Sequence, residues 1–189
     1  RADVNHQIRA NQATDLPRIN TQGRNFQVLY KVLPGFTPPT DKHSESGSPQ
    51  RSMSTQVNGM PESSNNTKLD GATISHPWLP RLVAYAPPVE AVEVVNVVTN
   101  SFDAEQGMAG GAAMNVTIKS GTNELHGSGW EFHTNSAFKA RPYFYCLYSC
   151  RGNPNRLPKN VQHQFGGTSG GPIVKNKLFF FADWERTTR

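Results

Sequence analysis

The sequence predicts an α+β domain followed by antiparallel strands of membrane-barrel type, and three observations predict it. The run VEAVEVVNVVTN at 89–100 is rich in β-branched residues, as a buried strand requires. The glycine-rich loop at 102–111 feeds AMNVTIK, which alternates in polarity as a strand does. Beyond Gly121, HGSGWEFHTN and KLFFFADWER set aromatic residues against charged ones with a period of two. That alternation suits a barrel wall in lipid and equally a soluble sheet with one buried face.

The 189 residues suffice for one ordinary domain, or one small domain plus a piece of another. With no initiator Met and no apolar leader, the chain reads as a processed product or a fragment of something longer. A hydrophobic content of 35% with 16 Gly and 14 Pro predicts much loop and little helix. No run of 18 apolar residues is present, which excludes a spanning helix and leaves a barrel open.

The elements follow in order. Residues 1–22 carry no clear period and are read as a tail or linker. In GRNFQVLYKVLPGF, Phe26, Leu29, Tyr30 and Leu33 fall at helical spacing and Pro34-Gly35 ends the run, which predicts a short amphipathic helix. TPPTDKHSESGSPQRS predicts a loop. MSTQVNGM and TKLDGATI predict short strands, with Asn-Gly and Asp-Gly supplying turns. The strands at 89–100 and 113–119 come next, then 127–134, a long irregular stretch to about 161, HQFGGTSGGPIV, a short turn and the last strand. Long connections on one side and short turns on the other tilt the reading towards an outer-membrane barrel. By alternation Trp130, Phe132, Phe180 and Trp184 are expected to face lipid, and Glu131, His133, Asp183 and Glu185 the lumen.

Charge is uneven. Residues 1–122 hold ten acidic and ten basic side chains, residues 123–189 four and nine, so the net +5 belongs to the second part. Lys139, Arg141, Arg151, Arg156, Lys159, Lys175 and Lys177 lie in an interval without a carboxylate, which would attract phosphate-rich partners or be a solvated loop. Cys146 and Cys150 are four apart, unlike a C-x-x-C metal pair; a local disulfide is favoured over zinc, and two free thiols stay open. No nucleophile elbow, HExxH motif or P-loop is present, so no enzyme, metal or cofactor is expected.

Taken in order, "GRNF", "VNG" with "LDG", "VEAVEVVNVVTN", "FDAEQGMAGGAAMNVTIKSGTNELHGSGWEF" and "QFGGTSGGPIVKNKLFFFADWE" resemble the plug domain and first barrel strands of TonB-dependent outer-membrane receptors, most of all the Oar-like group. The resemblance implies an α+β plug domain at 23–122 followed, at 123–189, by the first antiparallel strands of a transmembrane β-barrel, left incomplete here. It implies a receptor in the outer membrane of a Gram-negative bacterium that admits a nutrient ligand to the periplasm by energised movement of the plug. Its partners would be the TonB energy-transducing complex, reached through a coupling segment upstream, and lipopolysaccharide or outer-membrane lipid, not nucleic acid.

By position in the plug pattern, 61–66 and 76–81 would be apical loops, and Glu62, Ser63, Asn65, Asn66, His76, Trp78 and Arg81 the ligand contacts. Asn65 and Asn66 could instead satisfy a turn. Residues 135–161 would form the first extracellular loop, with Cys146 and Cys150 bonded and Lys139, Arg141, Arg151, Arg156 and Lys159 facing phosphate or an anionic ligand. The alternative is a secreted β-rich module that binds polysaccharide or another polyanion through this basic block and Tyr143, Phe144, Tyr145 and Tyr148.

Overall fold

A computed structural model describes residues 5–9, 24–40, 52–100, 104–107, 109–138 and 161–188. Among the described residues are eight strands: β1 (Asn5–Arg9), β2 (Asn66–Leu69), β3 (Ala72–Thr73), β4 (Val92–Val98), β5 (Ala113–Ile118), β6 (His126–Asn135), β7 (Val161–Val174) and β8 (Leu178–Thr188). They form a five-stranded sheet in the order β1-β4-β5-β2-β3 and a three-stranded antiparallel sheet β6-β7-β8.

β4 is an inner strand of the first sheet and supplies much of its core. Val92, Val95 and Val97 are buried together although 92 and 95 are an odd number apart. A bulge between Val92 and Val94 inserts the extra residue that returns the alternation to one face. Val57, Met114, Val116, Phe26 and Tyr30 complete the cluster. Burying each of these side chains contributes about 1.5–3 kcal/mol.

The predicted helix forms at Phe26–Val32 as a 3₁₀ helix, started by Asn25, whose side chain accepts from the Gln27 N–H at 2.9 Å. Pro34 and Gly35 leave it too short for regular α geometry. The Asn-Gly and Asp-Gly turns form as expected: Asn58, Gly59, Asp70 and Gly71 all have positive φ, the requirement of tight two-residue turns. Residues 5–9, read as tail or linker, instead form β1, which pairs antiparallel with β4. Only Ile8 of this strand is buried, so its place rests on backbone pairing at an edge that hydrophobic patterning does not mark.

Tyr30 packs edge-on against Phe26, yet its hydroxyl has no hydrogen-bond partner. Burial pushes the phenol far above its ordinary 10.0. Because the folded pKa is the raised one, Tyr30 contributes full stability below pH about 10 and loses it as the unfolded phenol ionises. Tyr30→Phe should therefore raise unfolding free energy by about 1 kcal/mol and remove this alkaline loss; lower stability in denaturant titration would contradict it.

The register of the second sheet fixes its faces. Trp130 lies opposite Gly166 and Glu185, and Phe132 opposite Gln164 and Thr187, so these side chains share one face. That face meets the first sheet. The Arg24 guanidinium sits 4.2 Å from the centre of the Phe132 ring, and the Arg24 N–H donates to Gln164 Oε1 at 2.9 Å. Glu131, Phe165, His133, His163 and Trp184 occupy the opposite face, where Phe165 stacks edge-on against Trp184 and His163 Nδ1 meets Glu131 Oε1 at 3.2 Å. The expectation that Trp130 and Phe132 share the outer face with Phe180 and Trp184 is thus corrected, as is the inward placing of Glu131 and His133. Phe180 and Trp184 stay outward, and Asp183 and Glu185 inward. The reason lies in distant neighbours: Gly166 leaves room beside the Trp130 ring, whose Cζ2 would lie 2.8 Å from a Cβ at that position, and Arg24 meets the Phe132 ring.

The chain passes between sheets at 119–125. The Ile118 N–H donates to Asp70 Oδ1 at 3.0 Å and the Lys119 N–H to the Ala91 carbonyl at 2.8 Å, which holds the end of β5. Asn123 then makes a reciprocal pair with Asn176 in the β7–β8 turn: the Asn123 amide donates to Asn176 Oδ1 at 2.7 Å, and the Asn176 N–H donates to Asn123 Oδ1 at 2.8 Å. Asn176 takes φ 62° there, a conformation Asn tolerates.

Candidate functional site

β2 and β5 run parallel, with Asn66 beside Ala113 and Leu69 beside Val116. Their N-terminal ends therefore lie together, at the end of the sheet away from the crossing at Gly121. β3 returns antiparallel to β2 and brings Ser75 and His76 back to that same end, where the Thr67 N–H donates to Ser75 Oγ at 3.3 Å. An open groove of about 750 Å³ lies there. One side is Ser63, Ser64 and the Asn65-Asn66 pair; another is Thr73, Ser75 and His76 with Pro77 and Pro80; Gly107, Ala109 and Gly110 close it.

Two asparagines frame the groove. Asn65 donates from Nδ2 to the Thr55 carbonyl at 2.8 Å and accepts the Ala112 N–H at Oδ1 at 3.0 Å. Asn66 donates to the Gln106 carbonyl at 2.7 Å and accepts from Ser75 Oγ at 3.3 Å. Both are buried, and these bonds tie the loop at 61–66 to the loop at 104–112. They position the groove; their polar atoms are engaged in holding it. His76 Nδ1 accepts the Leu79 N–H at 3.2 Å, so in the neutral ring the proton sits on Nε2, which is left as a donor.

Of the seven predicted contacts, the structure brings Ser63, Asn65, Asn66 and His76 to one groove, while Glu62, Trp78 and Arg81 do not line it. Trp78 is 87% exposed on the loop between the two lining prolines. Sequence reasoning missed Gly107, Ala109 and Gly110, which arrive from a loop some forty residues on. Their signal was the glycine cluster itself: a Cβ on Gly111 would lie 2.6 Å from Asn65 Oδ1, so that loop approaches as closely as it does only without side chains. Lys139, Arg141, Arg151, Arg156, Lys159, Cys146 and Cys150 lie outside the described residues. Among the described residues no group of three or more His, Cys, Asp or Glu is placed to hold a metal ion, and no helix is long and apolar enough to cross a membrane.

A second feature joins the sheets. Arg24 forms an ion pair with Glu90, their side chains 8% and 11% exposed, and reaches the wall strands through Phe132 and Gln164. Nearby, Tyr85 is held above its usual pKa by burial first and then by the Asp183 and Glu185 carboxylates of β8. The face of β6-β7-β8 towards the first sheet therefore sets Gln164, Glu185 and Thr187 beside Trp130 and Phe132, while the opposite face carries Phe165, Phe180 and Trp184 together with Glu131, His133 and His163.

Residues 117–189 match the family model of an outer membrane beta barrel domain. The chain is 31% identical over 160 residues to the TonB-dependent transporter Oar of Myxococcus xanthus, covering 84% of this chain and 14% of that protein. In structure it is similar to the siderophore receptor PirA of Acinetobacter baumannii, with a TM-score of 0.66 at 20% identity over 97% of this chain and 24% of that one. It is similar also to the outer membrane transporter YddB of Escherichia coli, with a TM-score of 0.69 at 14% identity over 97% of this chain and 26% of that one. The described chain thus spans a small part of the length of each of these relatives.

Proposed function

Because the chain belongs to the TonB-dependent outer-membrane receptors, we propose that it supplies the plug and first wall strands of a transporter that binds a nutrient outside and admits it when the plug is moved. It is part of a protein of the Gram-negative outer membrane, and its fold is a plug domain followed by antiparallel barrel strands. We assign the plug to 23–122, with β1 as an added edge strand, and the wall to 123–189. The observation that carries the reading is the docking of the mixed sheet on the inward face of β6-β7 through Arg24, Phe132 and Gln164. A plug held to the wall by a few side-chain contacts is built to stay seated and yet to be released.

The crossing at Gly121 and the short β7–β8 turn mark the periplasmic end, because a strand leaving the plug there rises outward and its next connection is the long one. The groove at the far end of β2 and β5 then faces outside, with Ser63 and His76 as ligand contacts. Energy would arrive from the TonB complex through residues preceding β1. Lipopolysaccharide would meet the basic residues between β6 and β7.

Locking the plug to the wall tests this. A full receptor with Arg24→Cys and Gln164→Cys, oxidised to a cross-link, should lose receptor-dependent growth on whichever source supports it among ferric chelates, cobalamin, oligosaccharides and peptides. Reductant should restore growth. Growth that persists in the verified cross-linked state, or no receptor-dependent growth on any source, would overturn the proposal.

A further inference from the structure

We propose that the groove takes an uncharged, hydroxyl-rich ligand of the oligosaccharide class, an inference that rests on the groove being the receptor's ligand site. None of the side chains lining it is a carboxylate, a lysine or an arginine. A ferric tris-catecholate carries about three negative charges, and holding such an anion calls for lysines, arginines or several converging N–H groups. The plug's share of this site supplies none of these, and the acidic Glu62 stands next to Ser63 in the chain.

What the groove does supply suits sugars. The hydroxyls of Ser63, Ser64 and Thr73 make no hydrogen bond among the described residues, and each can donate and accept at once. A sugar hydroxyl has the same dual character, so such pairs are satisfied in both directions, whereas an anion can use only the donors. His76 adds an Nε2 donor, its other nitrogen being occupied by the Leu79 N–H. Pro77 and Pro80 present apolar rings, and the exposed Trp78 between them in sequence offers a flat face on which the C–H surface of a sugar ring can stack. The frame is rigid already, because Asn65 and Asn66 spend their polar atoms on backbone groups and on the Ser75 hydroxyl, so little ordering opposes binding.

The purified full receptor in detergent, titrated calorimetrically with neutral gluco-, xylo-, manno- and galacto-oligosaccharides of six to seven units and with a ferric tris-catecholate, decides the matter. The expected result is binding of at least one neutral oligosaccharide, with a Kd unchanged within twofold between 50 and 500 mM NaCl, weakened tenfold or more by S63A/S64A/T73A. Trp78→Ala, on an exposed loop where folding is not at stake, should weaken it severalfold as well. No binding across the neutral panel, or tight and salt-sensitive binding of the catecholate alone, overturns the inference. Oligosaccharide binding that neither variant weakens locates the ligand elsewhere and refutes the groove itself. Binding in vitro without any uptake by cells would refute only the transport reading above.

Discussion

A receptor carrying Gly121→Val should assemble to less than a tenth of the wild-type level, while Gly129→Ala assembles normally. A Cβ on Gly121 would overlap the Phe180 carbonyl oxygen and stand 2.9 Å from that of Gly171 and 3.0 Å from Phe179 Cβ. Two of these three neighbours are backbone atoms of adjacent, paired strands, so neither can turn aside as a side chain would. Relief requires the β7–β8 hairpin or the crossing segment to shift, against a reciprocal amide pair between Asn123 and Asn176. Overpacking against backbone costs about 3 kcal/mol or more, roughly a hundredfold in the equilibrium of docking. At Gly129 the nearest atom to a new Cβ is the Gly166 oxygen at 4.0 Å, ordinary contact distance, so alanine fits. Heat-modifiable mobility of the folded barrel in outer-membrane fractions reads both variants. Equal assembly of Gly121→Val and wild type would show that the crossing tolerates displacement.

Removing the Arg24 guanidinium should loosen the plug within an assembled barrel. The Arg24–Glu90 pair is largely out of water, and Arg24→Met leaves the Glu90 carboxylate buried without its partner, near the inward Glu185 and Asp183 of the wall. Breaking a buried pair on one side costs about 3–5 kcal/mol. The backbone of residue 24 keeps its bond to Gln164, so the loss falls on the side-chain link to Glu90 and Phe132. The expected phenotype is assembly at near-normal levels with increased sensitivity of cells to an antibiotic too large for porins. Adding Glu90→Leu should recover most of the seal, because an apolar pair of similar size replaces the ion pair without a stranded charge. Should the double variant leak as much as Arg24→Met alone, the stranded charge is not the cause.

Most strand positions were legible because period-two alternation and β-branched runs are local properties, and β4, β5, β6 and β8 fall where they point, whereas MSTQVNGM forms isolated bridges at Ser54, Val57 and Met60 in place of the expected strand. The turns at Asn58-Gly59 and Asp70-Gly71 were legible for the same reason, since positive φ at two successive residues admits few side chains. Faces were not. Alternation says that Trp130 and Glu131 oppose each other but not which looks inward; that depends on Gly166 across the ladder and on Arg24 more than a hundred residues away from it. β1 was missed because an edge strand with one buried residue needs only a partner's free backbone. Half of the candidate groove was visible as turn and loop residues at 61–66 and 76–81, and the glycine wall was not, because a parallel pairing of β2 with β5 is what brings it there.

The placement of β1 at the sheet's margin decides how the plug fails under load. β1 pairs with β4 in a register that runs from Asn5 beside Val98 to Arg9 beside Val94. Val98 is at the groove end of the sheet and Val94 nearer the crossing, so on the proposed reading tension entering along the chain ahead of Asn5 and directed towards the periplasm would reach the far end of the strand first. Such a load opens the pairs in succession, as a zipper does, and each step breaks one or two hydrogen bonds instead of shearing all of them together. The sheet behind it, with its valine core, is spared until the margin is stripped. Under such a load the first compliance would lie in one outer strand rather than in the core of the sheet.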